Sequence, residues 1–362
     1  MIRVLHIANA RMGSGGVESF LMNLYRNMDR EKIQMDFVVF SDEVGMHEAE
    51  IARLGGRVYK VPRKKDGLFR NLNAIRKIVK ENQYKIVHRN CDAAIMLLDI
   101  LAAKLGGARY VIAHAHSTQN EHSFIHKVCK PFLRKVVKYR YACSDAAGKW
   151  MYGKASFEII PNGIDCKQFD FQQNIRDKIR TQFLIPENTI VMGNVAVFKE
   201  VKNLSFLIDV FAEIHKRNDN TMLLLVGDGE ERSSLENKVR ELKLKHCIKF
   251  LGTRSNVNEI FMAMDIFILP SFYEGLPLTM VEAQTSGLKC YISDRVPDDA
   301  IINAELVEKV SLEENAEEWA EKILTTYDVE DRKHAGQVVR QAGYDIRQVA
   351  KKMQDFYLSL EG

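Results

Sequence analysis

Two glutamates, Glu274 and Glu282, stand eight residues apart in SFYEGLPLTMVEAQTSG, residues 271–287. A carboxylate pair suits the acid and base of a glycosidase, two acceptors of one binding site, or a solvated loop entering a helix. The apolar run DIFILP (265–270) predicts a buried strand before them, and LTMVEAQT (278–285) a short helix closed by Gly287. Pro277 suits the first helical position. With 277–282 helical, the rise alone separates the two glutamates by about 7.5 Å along the axis. That spacing suits an inverting glycosidase, but a division of labour fits better. The free amides of residues 275–277 would hold a phosphate, as helix starts do. Glu274 would accept hydroxyl protons of a sugar, and Glu282 both hydroxyls of a ribose, because a carboxylate has paired acceptors for a vicinal diol. The plain alternative is two surface carboxylates at a helix start.

Other segments carry chemistry of the same kind. Gly13, Gly15 and Gly16 follow the first apolar run and precede a helical pattern, where backbone amides approach a phosphate or sugar. Glu18 stands where a dinucleotide fingerprint would place its third glycine, which disfavours a nicotinamide cofactor. His114 and His116, in IAHAHSTQ (112–119), end a strand and alternate onto one face, yet no carboxylate or cysteine is spaced to complete a metal site with them. Lys199 and Lys202 sit at the turn of NVAVFKEVKN (194–203), where lysine is a suitable point charge for phosphate. Residues 124–140 interleave apolar side chains with six Lys/Arg, and 62–70 add four more, a pattern suited either to anionic lipid or to a solvated helix face.

The elements that position these residues alternate along the chain. Short, almost wholly apolar runs (4–9, 35–40, 57–61, 85–88, 109–114 and 141–144) are separated by helical patterns such as 17–28 and 68–82. The second half repeats the theme at 189–198, 221–229, 248–252, 265–270 and 289–293. Strands of this kind, between helices, predict α/β architecture with parallel sheets covered on both faces. Two doubly wound, Rossmann-like domains are expected, residues 1–166 and 167–342, with an amphipathic helix over 343–362 returning to the first. Net charge is only +4, which speaks against a nucleic-acid partner. The charge is split, however: residues 1–170 hold 28 Lys/Arg against 17 Asp/Glu, so the remainder is acidic. Six dispersed cysteines without Cys-x-x-Cys argue against a zinc centre or disulfide framework and for a reducing compartment. No run approaches the roughly 20 apolar residues of a membrane span, so the expected location is cytoplasmic, with peripheral contact on the inner face of the cell membrane.

Several segments together carry a family resemblance: GGVE (15–18), HAHST (114–118), PNGID (161–165), KN (202–203), LLLVGDG (223–229), FLGTRSNV (250–257) and residues 270–287. The chain resembles the family 4 retaining glycosyltransferases of the GT-B fold, most closely bacterial members that build capsular, exopolysaccharide or lipopolysaccharide sugars. The resemblance spans essentially the full length. It implies two Rossmann-like domains facing each other across a donor cleft, and transfer of a sugar from a nucleotide diphosphate, UDP-linked by expectation, to a lipid-linked or glycan acceptor. It implies no cofactor and no metal. Glu274 and His116 would support front-side attack, no enzyme nucleophile being evident. The donor would meet Gly16, Lys199, Lys202, Gly275, Leu276, Pro277 and Glu282, with Arg254 near the base; Gly15, Glu18 and His114 would lie on the acceptor side. The family usually carries Gly-Arg where this chain has Ala196-Val197, so Lys199 or Arg11 is expected to supply the missing cation. Rival readings are a catalytically weak partner subunit and a nucleotide-sugar epimerase of the same architecture.

Overall fold

A computed structural model describes residues 1–8, 11–13, 15–117, 123–328 and 332–361. The chain forms two compact units, Met1–Ile164 with Gly343–Gly362, and Asp165–Ala342. The first holds β1 (Ile2–Ile7), β2 (Ile33–Val39), β3 (Val58–Lys60), β4 (Ile86–Cys91), β5 (Tyr110–Ala115), β6 (Tyr139–Ala142) and β7 (Glu158–Ile159). These make one parallel sheet in the order β3-β2-β1-β4-β5-β6-β7. The second holds β8 (Ile190–Val195), β9 (Thr221–Val226), β10 (Ile248–Gly252), β11 (Ile266–Leu269), β12 (Lys289–Ser293) and β13 (Val307–Val310). They too are all parallel, in the order β10-β9-β8-β11-β12-β13. Every residue of β2, β4, β9 and β11 is buried, because helices cover both faces.

In each sheet the strand order reverses once, between β1 and β4 and between β8 and β11. Open α/β sheets bind ligands at that switch point, outside the carboxyl ends of the strands. The loops leaving β1, β8 and β11 carry Gly15, Lys202 and Glu274 respectively.

Some local expectations need correction. β8 stops at Val195, short of residue 198, and the chain leaves the sheet through a tight turn in which the Lys199 amide bonds Val197 O at 2.9 Å. Gly227 makes room for that turn: its φ is +132°, and a Cβ there would stand 1.8 Å from Ala196 O. Pro277 is the N-cap rather than the first helical residue, since its ψ of 114° is extended and the helix spans Leu278–Thr285. β7 and β13 were not foreseen. The first has two exposed residues, and the second, VEKV, carries charges at the sheet edge.

The last helix, Ile346–Ser359, buries Ile346, Val349, Ala350, Met353 and Tyr357 in the core of the first unit, against Phe20, Leu24 and Ile160 among others. Gly362, at the end of the expected segment, lies outside the described residues, as do Asn9 of the first apolar run and Thr118 after the histidines.

Candidate functional site

In the second unit, the loops after β8 and β11 are stitched together. The Phe272 amide bonds Val201 O at 2.9 Å, and Asn203 Nδ2 bonds Pro270 O at 3.1 Å. Asn203 takes a left-handed φ of 53°, which asparagine tolerates better than most residues. This stitching brings Lys202 onto Glu274: Nζ donates to Oε1 at 2.7 Å and to Oε2 at 2.8 Å. Ser271 Oγ donates to Oε1 at 2.7 Å, and Ser271 O is held by Ser293 Oγ at 2.6 Å. Glu274 is 6% exposed, so its charge rests on these partners. A carboxylate offers about four acceptor positions and an ammonium three donors. Three of the first and two of the second are used. One acceptor on Glu274 and one donor on Lys202 remain for a ligand.

Beyond Glu274 the chain enters the helix Leu278–Thr285. Among the described residues, the amides of Gly275, Leu276, Leu278 and Thr279 have no partner in the chain. Pro277 carries no N–H, so the expected amide run at 275–277 is corrected. The donors are two residues before the proline and two after it, at the positive end of the helix.

Glu282 lies inside that helix, partly buried, and its side chain bonds no described residue. Loss of hydration pushes its carboxyl up to about 7 from an ordinary 4.5. A carboxyl so held is short of hydrogen-bond donors, which a diol supplies.

Lys199 does not continue the strand of Val197, since β8 has ended. The two flank the buried Phe198, however, and both are exposed. The Lys199 side chain has no ion pair among the described residues. Arg11 of the first unit is paired with Glu43. Arg254 sits on the loop after edge strand β10, its Nε bonded to Leu251 O at 2.9 Å and its guanidinium over the Phe183 ring. No contact joins it to Lys202 or Glu274.

In the first unit, the helix Gly16–Asn27 starts directly after Gly15. A Cβ on Gly16 would meet nothing within 4 Å, whereas one on Gly15 would meet the Glu18 carboxylate, which folds back over the helix start. Burial pushes the Glu18 carboxyl up. His114 and His116 are buried, with ring centroids 4.1 Å apart. They end a row that sequence reading missed, running His6, His88, His114, His116 across β1, β4 and β5. Tyr357 of the last helix closes the far end, with its hydroxyl 2.6 Å from His88 Nδ1. Burial drives His116 down to about 4 and His6 to about 3, and holds His88 and His114 well below 6.5, so the row is neutral at pH 7.

His116 is held at both nitrogens, by Asn162 at 3.0 Å and by Asn90 at 3.1 Å. Asn90 turns its Nδ2 toward His6 Nδ1, so its Oδ1 takes the His116 Nε2–H. A neutral ring then needs the amide nitrogen of Asn162 at Nδ1. A substrate hydroxyl therefore reaches a ring nitrogen of His116 only by displacing an asparagine. Asn162 belongs to PNGID, which the sequence marked only as one segment of the family resemblance. Ser271 likewise stood in the opening stretch, with nothing to mark its bond to Glu274.

Comparison with known proteins follows the same division. Residues 14–168 match the family described as Glycosyltransferase Family 4, and residues 175–342 that described as Glycosyl transferases group 1. The putative glycosyltransferase EpsF of Bacillus subtilis is 33% identical, covering 96% of this chain and 94% of that one. The UDP-Gal:alpha-D-GlcNAc-diphosphoundecaprenol alpha-1,3-galactosyltransferase of Escherichia coli is 27% identical over 65% of this chain and 64% of its own. The crystal structure of Anabaena HepE in complex with UDP superposes with a TM-score of 0.79 at 17% identity, covering 99% of this chain and 100% of that chain. That likeness gives the fold, GT-B.

Proposed function

Because the chain belongs to the family 4 glycosyltransferases, we propose that it moves a sugar from a nucleotide diphosphate, with UDP the first candidate, to a lipid-linked or glycan acceptor during assembly of a bacterial surface polysaccharide, with retention at the anomeric carbon. The Lys202–Glu274–Ser271 cluster beside four unpaired amides carries this reading. The amides and the third Lys202 donor take the diphosphate, and the open acceptor of Glu274 takes a sugar hydroxyl. Glu282 takes the ribose diol. Fixed donors aimed at the leaving diphosphate stabilise the charge that grows on it as the glycosidic bond breaks. No metal ion is needed in this scheme. A thermal-shift panel of nucleotides tests it. UDP and one UDP-sugar should raise the unfolding temperature where NAD does not, and mass spectrometry should show a glycosylated prenyl-pyrophosphate whose new linkage keeps the donor's anomeric form. No stabilisation by any nucleoside diphosphate overturns the reading.

Lys202 is largely neutralised by Glu274, so Lys199 is proposed as the second cation in place of the arginine absent at Val197. Lys199→Ala should lower kcat by about 10²-fold, the order seen on removing one fixed transition-state donor. Arg11→Ala, with Arg11 already paired to Glu43, should leave kcat unchanged. An unchanged rate in Lys199→Ala removes the assignment. A partner-subunit role with weak activity is the second reading, favoured by Val197. Transfer by the purified chain alone decides against it.

The basic half is proposed to lie on the inner membrane face through the helix Ser123–Val136. No helix among the described residues is long and apolar enough to cross a membrane. This one, however, exposes Phe124 at 77%, Phe132 at 57%, Ile125 and Val128, beside the exposed Lys127 and Lys135. An apolar stripe edged with lysine suits an anionic interface. Phosphatidylglycerol vesicles should sediment the protein, and Phe124→Ser with Phe132→Ser should weaken that binding at least tenfold. A protein that stays in the supernatant in both forms does not use this surface.

A further inference from the structure

At the opposite edge of the second sheet, the helix Leu204–Arg217 ends beside the starts of β9 and β10. His215 Nε2 there lies 3.3 Å from His246 Nε2, and a ring nitrogen of each lies with Cys247 Sγ inside one cluster no more than 4.8 Å across. The two nitrogens are the separation of one edge of a zinc tetrahedron: Zn–N bonds of about 2.0–2.1 Å place two nitrogens about 3.3–3.4 Å apart. A thiolate that completes this tetrahedron stands about 3.6 Å from each nitrogen, a separation of the same order as the 4.8 Å that bounds the cluster.

The first of these ligands is already oriented. Thr221 Oγ1 donates to Asn218 O at 2.9 Å, so it accepts from His215 Nδ1 at 2.8 Å. That fixes the proton on Nδ1 and leaves the Nε2 lone pair directed at His246. Thr221 is buried and Phe211 stacks on the imidazole ring, so the ring cannot turn away freely. Metal-bound histidines are held in this way, by a partner on the other nitrogen. Imidazole and thiolate select zinc-like ions over magnesium or calcium.

We propose that His215 Nε2, His246 Nε2 and Cys247 Sγ form a divalent transition-metal site of the zinc type, with water as fourth ligand. His246 is exposed, which gives the ion an entry path. Binding displaces the proton that Cys247 Sγ now directs to Leu244 O and joins the end of the helix to the entrance of β10. The site lies at the amino ends of the strands and takes no part in sugar transfer.

The test uses tag-free full-length protein and Co(II) as a spectroscopic probe. One equivalent should give tetrahedral d–d bands and a thiolate-to-cobalt band. Cys247→Ser should abolish the latter, and Cys129→Ser should not. Zn(II) should displace cobalt and raise the unfolding temperature. His246→Ala should weaken Zn(II) binding at least tenfold, and Thr221→Val by about 10–100-fold. Because Cys247 is buried, its serine variant is one that can fail to fold; His246→Ala at an exposed position then carries the test. Absence of a cobalt spectrum, or Zn(II) affinity unchanged in His246→Ala, overturns the site and leaves a hydrogen-bonded imidazole pair.

Discussion

Lys202→Met should lower kcat/KM by about 10²–10³-fold, the range for losing one preorganised donor at developing charge. It should also destabilise the second unit. Glu274 would keep Ser271 but lose both lysine contacts while remaining 6% exposed. Breaking a fully buried pair costs about 3–5 kcal/mol. With Lys202 itself 23% exposed, about 2–3 kcal/mol is expected, or an unfolding temperature lower by about 4–10 °C. Adding Glu274→Gln separates the two effects. The double variant has no unpaired carboxylate, so its stability should return most of the way, since removing both partners is cheaper than removing one. Its activity should stay lost. Recovery of activity along with stability would mean that the pair only braces the loop.

Glu282→Gln should make the ligand-free protein more stable at pH 8 and unable to hold the nucleotide well. The folded-state carboxyl titrates near 7 against an ordinary 4.5, so the folded chain binds this proton more tightly than the unfolded one. The burial penalty is absent below pH 4.5, grows as pH rises, and is complete above 7. At about 1.4 kcal/mol per pKa unit it amounts to at most about 3–4 kcal/mol. Glutamine removes it, so the variant should unfold several degrees higher than the wild type at pH 8 and at the same temperature near pH 4.5. Affinity of the wild type for UDP should rise from pH 6 to pH 8 as the diol acceptor ionises. In the variant it should be at least tenfold weaker and flat with pH. Equal stability of the two proteins at pH 8, by calorimetry, would show that Glu282 is hydrated in solution.

What the sequence shows clearly is what repeats locally. Apolar runs such as TMLLLV and IFIL mark strands covered on both faces, and the helices between them read from period alone. The Glu274–Glu282 stretch was legible because loop, helix start and both carboxylates lie within a dozen residues. Pairings over long separations were not. Lys202 and Glu274 are 72 residues apart, and the bond between them depends on a left-handed Asn203 that no local pattern announces. His6 and His88 read as isolated residues, and His114 as tied only to His116, because register, not sequence distance, lines them up: His6 lies opposite His88, and Asn90 opposite His114. β13 escaped because an edge strand with one buried residue lacks the apolar run that betrays an interior one.

The last helix has a consequence for the order in which the molecule is made. Residues 343–361 complete the core of the first unit, yet they follow the whole of the second. During synthesis, residues 1–164 wait, with Phe20 and Leu24 uncovered and His88 without its tyrosine, while residues 165–342 emerge and fold as one uninterrupted stretch. The first domain begun is thus the last one finished. A chain cut between Ala342 and Ile346 would hold an intact second unit beside a sticky, unfinished first.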